Sequence, residues 1–189
     1  MWDEDVLRPT LVGQLVTLEP IEPRHADGLR AAAADDQAWT WMTTRDTEAW
    51  IAAALETTEM HHFVVIRNGD VIGSTSYLNV VPEHLRLEIG NTWNTPSAWG
   101  TGANAEAKYL LLRHAFETLG ARRVEFKTDA KNERARAALA AIPAEFEGIH
   151  RKHMIVRDGE RRDSAWYAVI DDDWPDVKDA LERRISAAR

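Results

Sequence analysis

The chain has 189 residues, 44% of them hydrophobic and 29% charged, and it contains no cysteine. That length fits a single domain spanning 1–189 with a real core, and disulfides, thiol nucleophiles, thiolate zinc sites and iron–sulfur clusters are excluded together. A net charge of −8 counts against a general nucleic-acid binder. In chain order, residues 14–18 read as a strand, followed by helical patterns over 24–34 and 47–55. Asp46 or Thr47 is the expected N-cap of the second helix. Asn68-Gly69, between apolar runs at 62–66 and 71–77, predicts a hairpin with a type I′ turn. A strand over 85–93 precedes a helix over 104–119, where Leu111, Leu112, Ala115, Phe116 and Leu119 recur at helical spacing and Gly120 closes the pattern. Then come a strand at 124–128, an Ala-rich helix at 133–141 stopped before Pro143, a second hairpin (152–156 and 164–170) about Asp158-Gly159, and a helix at 174–187. The order β-α-α-β-β-β-α-β-α-β-β-α predicts an α/β (α+β) mixed sheet covered by helices, not a doubly wound parallel sheet.

Charge is unevenly spread. Residues 1–60 hold 4 basic and 12 acidic side chains, whereas residues 121–162 hold 11 basic and 7 acidic. A protein binding a polyanionic cofactor on one side and a cationic substrate on the other has such a pattern, as does chance patterning of solvated faces. No apolar run approaches a membrane span, and the acidic start Met1-Trp2-Asp3-Glu4-Asp5 is unlike a basic signal peptide, so a cytoplasmic location is expected.

The chemistry concentrates between Glu88 and Asn104, where a strand meets a loop, Trp99-Gly100-Thr101-Gly102-Ala103, that opens the long helix. Glycines there free backbone N–H groups to face an anion, and the helix dipole adds partial positive charge. The loop lacks the third glycine of a dinucleotide fingerprint and the Gly-Lys-Ser/Thr of a phosphate-binding P-loop. By itself it also reads as a tight strand-to-helix turn.

With its surroundings, this segment resembles the GCN5-related N-acetyltransferase (GNAT) superfamily, in its ribosomal-protein N-terminal acetyltransferase (Rim-type) branch. The likeness runs from Gly13-Gln14-Leu15-Val16-Thr17-Leu18-Glu19-Pro20 through Glu88-Ile89-Gly90 and the glycine loop. It continues in Asn132-Glu133-Arg134, Glu147-Gly148 and Asp173-Trp174-Pro175. The resemblance implies a mostly antiparallel central sheet of about seven strands flanked by helices, and acetyl-CoA as acyl donor. It places the pyrophosphate on backbone N–H groups of Gly100, Thr101, Gly102 and Ala103, and the pantetheine arm along Trp93 and Asn94 in a splayed gap between strands. Asn132 matches the family's asparagine at that arm, and Lys131, Arg134 and Arg136 are candidate partners of the remaining phosphates. The chain departs from the family at Ser97, Ala135, Leu139 and Pro143. At Leu139 many relatives carry a tyrosine that protonates the leaving thiolate. The N-terminus of helix 133–141 is one substitute for it, and Tyr77, Tyr109 and Tyr167 are others.

Glu88 is the candidate general base. Alternation puts Leu85, Leu87 and Ile89 on one face of the strand and Arg86 and Glu88 on the other, and Gly90 permits a bulge toward the acceptor. A surface pair with Arg86 is the structural alternative for Glu88. A backbone N–H near Trp93 is positioned to polarise the thioester carbonyl. Trp39 and Trp41, with Asp35, Asp36, Asp46 and Glu48 nearby, are expected at the acceptor pocket, whereas Trp50 is expected in the core. No metal site is expected: strand parity separates His61 from His62 and His150 from His153, and no HExxH occurs. The expected activity is acetyl transfer by direct attack of a primary amine, either a protein N-terminus or a small cationic amine. A non-catalytic acyl-CoA-binding protein is the alternative. No nucleic-acid or membrane partner is expected, and a homodimer is the candidate assembly.

Overall fold

In the computed structural model, which describes residues 2–188, the chain opens with a short helix α1 (Glu4–Leu7) and two strands, β1 (Leu11–Val12) and β2 (Thr17–Pro20). Neither α1 nor β1 follows from the hydrophobic pattern, and the strand expected over 14–18 starts three residues late. The reason is a buried carboxylate from elsewhere: Glu106 accepts hydrogen bonds from the backbone N–H groups of Gln14 (2.9 Å), Leu15 (2.6 Å) and Val16 (2.7 Å), which bends this segment out of the ladder. Next come α2 (Ala26–Ala32), entered through a 3₁₀ turn at Pro23–His25, and α3 (Thr47–Glu56). Asp46 caps α3, its carboxylate accepting from Ala49 N.

The hairpin of β3 (His61–Arg67) and β4 (Asp70–Val81) turns at Asn68 and Gly69, both at positive φ (54° and 90°) as a type I′ turn requires. After β5 (Arg86–Asn94), the helix α4 (Ala103–Arg113) continues through a π-helical turn at His114–Thr118 and carries the chain to β6 (Arg123–Asp129). This is the crossover that a parallel pair needs, and β5 and β6 are the sheet's one parallel pair among the described residues. The helix α5 (Glu133–Ala140), the hairpin of β7 (Glu145–Val156) and β8 (Glu160–Ile170), and α6 (Trp174–Ala187) complete the chain. The strand order is β1-β2-β3-β4-β5-β6-β8-β7, a mixed and mostly antiparallel sheet with one strand more than the seven expected.

Helices cover the sheet on both faces. On one, Leu110, Leu111 and Leu112 of α4 and Leu181 and Ile185 of α6 bury Leu87, Ile89, Val124 and Phe126. On the other, Leu29 of α2 and Trp50 and Ile51 of α3 pack over Val64 and Trp93. Each fully buried Leu, Ile or Phe is worth about 1.5–3 kcal/mol. Beyond β5 the second face carries charged and polar side chains from β6, β7 and β8 in place of a helix-covered core, among them the buried Asp129 of β6, ion-paired (3.0 Å) with Arg157 of the turn after β7.

Candidate active site

Strands β5 and β6 pair at only three positions, ending at Glu88↔Glu125. Beyond that they part, and a cleft of about 680 Å³ opens between Ile89–Asn94 on one strand and Phe126–Thr128 on the other. The opening coincides with a bulge: on β5 the residues between Gly90 and Trp93 oppose the single Thr75 between Ser76 and Ser74 of β4. The positive φ (49°) belongs to Asn91 and not to Gly90. Gly90 serves a different purpose, because a Cβ there would stand 3.1 Å from Glu88 Oε1 and 3.0 Å from Leu78.

One end of the cleft is built by the glycine loop. Gly100 (φ 74°) and Gly102 (φ 83°), the N-cap of α4, both line it, as do Trp99, Asn104 and Ala105. The first-turn amides of α4 have no intrahelical acceptor, which makes this end receptive to anions. Thr101 and Ala103 do not line the cleft: the Thr101 hydroxyl donates to Ala98 O (2.7 Å), and the Ala103 side chain is in the core. Two arginines add charge here. Arg134 lies 3.4 Å over the Trp99 ring and lines the cleft with Arg184 of α6. Arg136, expected beside it, turns away, its Nε donating to the Tyr167 hydroxyl (3.1 Å) and its guanidinium lying over Phe146 (5.5 Å). Lys131 is exposed, 3.8 Å from Glu160.

Further along, Trp93 Nε1 and Asn94 Oδ1 are buried in the cleft wall without partners among the described residues. Unmet polar atoms of both kinds fit an amide-bearing chain in the gap, as a pantetheine arm would be. Asn132 caps α5 through Oδ1, which accepts from Ala135 N (3.1 Å), and its amide N–H₂ remains available on the cleft side. Ala135, Ala138, Leu139 and Ile142 complete an apolar wall. None of the three tyrosines lines the cleft. Tyr77 donates to Leu111 O (2.6 Å) inside the core, where burial pushes its hydroxyl well above 10, and Tyr109 donates to Glu182 on the outer side of α4. Tyr167 is buried against Phe146 and accepts from Arg136.

Glu88 is 1% exposed and is not the surface partner of Arg86, which pairs with Glu125 (3.2 Å). Instead, Glu88 Oε2 accepts from Asn79 Nδ2 (2.7 Å) and Lys127 Nζ (2.9 Å), while Oε1 points toward the space that Gly90 leaves open. Leu85, expected on the buried face of this strand, sits before it in a left-handed conformation (φ 49°). The floor holds a residue that pattern reading passed over. Lys108 of α4 is 5% exposed, lines the cleft, and donates to Thr92 Oγ1 (2.6 Å) and Thr75 Oγ1 (3.1 Å). With no carboxylate paired to it among the described residues, burial lowers its pKa from 10.5 to about 7. A sign of it lay in the sequence, since position 108 falls one turn before Leu111 and Leu112, on the apolar stripe of the helix.

The acceptor side differs from expectation. Trp41 lines the cleft, with the Arg157 guanidinium 5.7 Å from its ring. Trp39 is a core residue: 3% exposed, it packs on Trp93 (4.9 Å) and Trp50 (5.7 Å) and donates to Ala33 O. The acids near these tryptophans serve local structure, Asp35 and Asp46 as caps and Glu48 paired with Arg30 (2.9 Å). Five cationic side chains and no carboxylate line the cleft among the described residues. His62 bonds Ser76 Oγ (2.6 Å) in the interior. His150 and His153 do meet, at 5.7 Å between ring centroids, because a register shift between His150 and Met154, with Lys152 at positive φ, cancels their opposite parity. Both rings pack on Trp166, and no group of three or more metal-ligating side chains occurs among the described residues.

A split parallel pair, a bulged strand beside it and a glycine loop opening the crossover helix define a site where an acyl thioester of coenzyme A meets an amine. The acetyltransferase (GNAT) domain model matches residues 16–143, and the chain belongs to that family of acetyl-CoA-dependent N-acetyltransferases. It is similar to a GCN5-related N-acetyltransferase from Brucella melitensis, with 32% identity over 96% of this chain and 90% of that one and a TM-score of 0.88. It shares the fold of Mycobacterium smegmatis RimJ in complex with CoA-disulfide, with 24% identity over 97% of each chain and a TM-score of 0.81. Comparison with curated protein sequences finds no match. No helix among the described residues is long and apolar enough to cross a membrane.

Proposed function

We propose that this chain is one acetyltransferase domain that moves acetyl from acetyl-CoA to a primary amine by direct attack, with Glu88 as general base and Lys108 as proton donor to the leaving sulfur. The observation that carries the reading is the parting of β5 from β6. It leaves bulge amides, the orphaned Trp93 and Asn94 side-chain atoms and the buried Lys108 around one space, with Glu88 behind its wall, next to Gly90 and bonded to Lys127. The RimJ structure, with a coenzyme A disulfide on the same fold, supports the donor assignment. The glycine loop with Arg134 and Arg184 would hold the phosphates, and backbone N–H groups at the bulge would polarise the thioester carbonyl.

As the amine nitrogen bonds the carbonyl carbon, Glu88 takes the amine's proton through water at the Gly90 opening. As the carbon–sulfur bond breaks, Lys108 gives a proton to sulfur, so that amide and free thiol leave and both side chains re-equilibrate with solvent. A group with a pKa about 7 is suited to that exchange at neutral pH. The cleft lends no support to a preference for cationic acceptors, since its walls carry cations and no acids. The test is thiol release from acetyl-CoA across an amine panel. Glu88→Gln is expected to lower kcat by about 10²–10⁴-fold and to keep acetyl-CoA affinity in calorimetry. An unchanged kcat removes Glu88 from the chemistry. Wild-type protein that binds acetyl-CoA and turns over no amine is the non-catalytic acyl-CoA-binding protein instead.

A further inference from the structure

Of the five cations lining the cleft, four have evident roles. Arg134 and Arg184 flank the phosphate-binding loop, Lys127 is neutralised by Glu88, and Lys108 is held by two threonines. Arg162 of β8 is left over. It is 94% buried by the complement of its 6% exposure, its Nε has no partner, and its side chain makes no hydrogen bond or ion pair among the described residues. The carboxylates nearest in charge effect are already committed: Asp129 to Arg157 Nη2 and Lys131 N, and Glu88 to Lys127 and Asn79. A buried guanidinium with no counter-ion is costly, and burial is the largest influence on this one, acting against its charge. It lines the cleft with Lys127 and Thr128 of β6 and with Trp41, Met42 and Thr43, whose loop is tied down by Arg157 donating to Met42 O (3.0 Å). That wall belongs to the acceptor side, away from the glycine loop.

We propose that Arg162 is the specificity-determining residue for the acceptor, and that the acceptor is a small amine that also bears a carboxylate, an amino acid in the broad sense. A guanidinium offers two parallel N–H donors that match a carboxylate and few other groups as well. This inference rests on the reading of the cleft as an acetyl-transfer site. It differs from a protein N-terminus, where the first residue's carboxyl is consumed in a peptide bond, and from a cationic amine, which Arg162 would repel.

The experiment pairs α-, β- and γ-amino acids with their carboxamides as acceptors and reads thiol release from acetyl-CoA. Carboxylate acceptors are expected to exceed their carboxamides by at least about 10-fold in kcat/KM. In Arg162→Gln the advantage should vanish while acetyl-CoA KM is unchanged, and in Arg162→Lys it should be partly retained. The unchanged acetyl-CoA KM shows that the variants fold. Equal rates within each pair, or an advantage that survives Arg162→Gln, would overturn the assignment while leaving acetyl transfer intact. If no amine is turned over, the transfer reading fails separately. Arg162 is then judged by binding of N-acetylglycine against N-acetylglycinamide to the CoA-loaded protein, where equal affinity overturns it.

Discussion

Lys108→Met replaces a buried amine by an apolar chain of similar length, and the structure sets the size of the effect. In the native protein burial holds the pKa at about 7, against 10.5 for an ordinary lysine. Between those values the unfolded chain binds a proton that the native state has released, so native stability rises with pH across the window. The penalty is complete below pH 7 and gone above 10.5. The whole gap corresponds to about 5 kcal/mol, and the part between pH 7 and pH 9 to about 2 kcal/mol. The variant has no such proton, and Thr75 and Thr92 still bond each other (2.9 Å). The unfolding free energy of the wild type minus that of Lys108→Met should therefore increase by about 2 kcal/mol from pH 7 to pH 9. Taking the difference cancels every group that both proteins share. Urea titrations followed by fluorescence of the eight tryptophans measure it directly. A difference that stays flat over this range would show that Lys108 keeps its proton as a surface lysine does, and would remove the basis for its role as a proton donor near neutral pH.

Gly102→Ala puts a Cβ 2.6 Å from the Ala188 side chain on a residue at φ 83°, so it strains the start of α4 where the loop meets the C-terminal helix. Acetyl-CoA affinity should fall about 10-fold or more by calorimetry, and unaltered affinity would place the donor elsewhere. Glu106→Gln turns an acceptor of three backbone N–H groups into an amide whose own N–H₂ must face one of them. A cost of about 2–3 kcal/mol is expected, which for a chain of this size lowers Tm by about 5–10 °C. A Tm unchanged in calorimetry would mean that the 14–16 segment is not held by this carboxylate.

Both hairpins, the long helix, its glycine loop and the final helix are legible in the sequence because they are local: turn residues, caps and period fix them within a dozen positions. The site is less so. Gly100, Gly102, Trp93, Asn94 and Asn132 follow from one strand–loop–helix motif and from one helix cap, and the fold brings them to the same cleft. Glu88 could be assigned to a strand face but not to Lys127, whose strand is joined to it only through α4. Trp39 and Trp41 are alike in composition and differ in which is drawn into the aromatic cluster with Trp93, a matter of packing across elements. Arg134 and Arg136 stand about 200° apart on one helix, and how α5 docks on the sheet, with Arg134 over Trp99 and Arg136 on Tyr167, decides which faces the cleft. Arg162 has no local signature at all, since it is notable for the carboxylates it fails to reach. Parity misled at His150 and His153 because bulges are not written in alternation.

The three-pair seam between β5 and β6 has a mechanical meaning. The sheet consists of two leaves, β1–β5 and β6–β8, bound along a short spine at one end and free at the other, with α4 as the covering that spans them. Bending resistance in such an object is lowest about the spine, so a molecule seated between the free margins acts as a splint. On the proposed reading, a donor bound there would also set how rigidly the wall on one leaf is held against the bulge on the other.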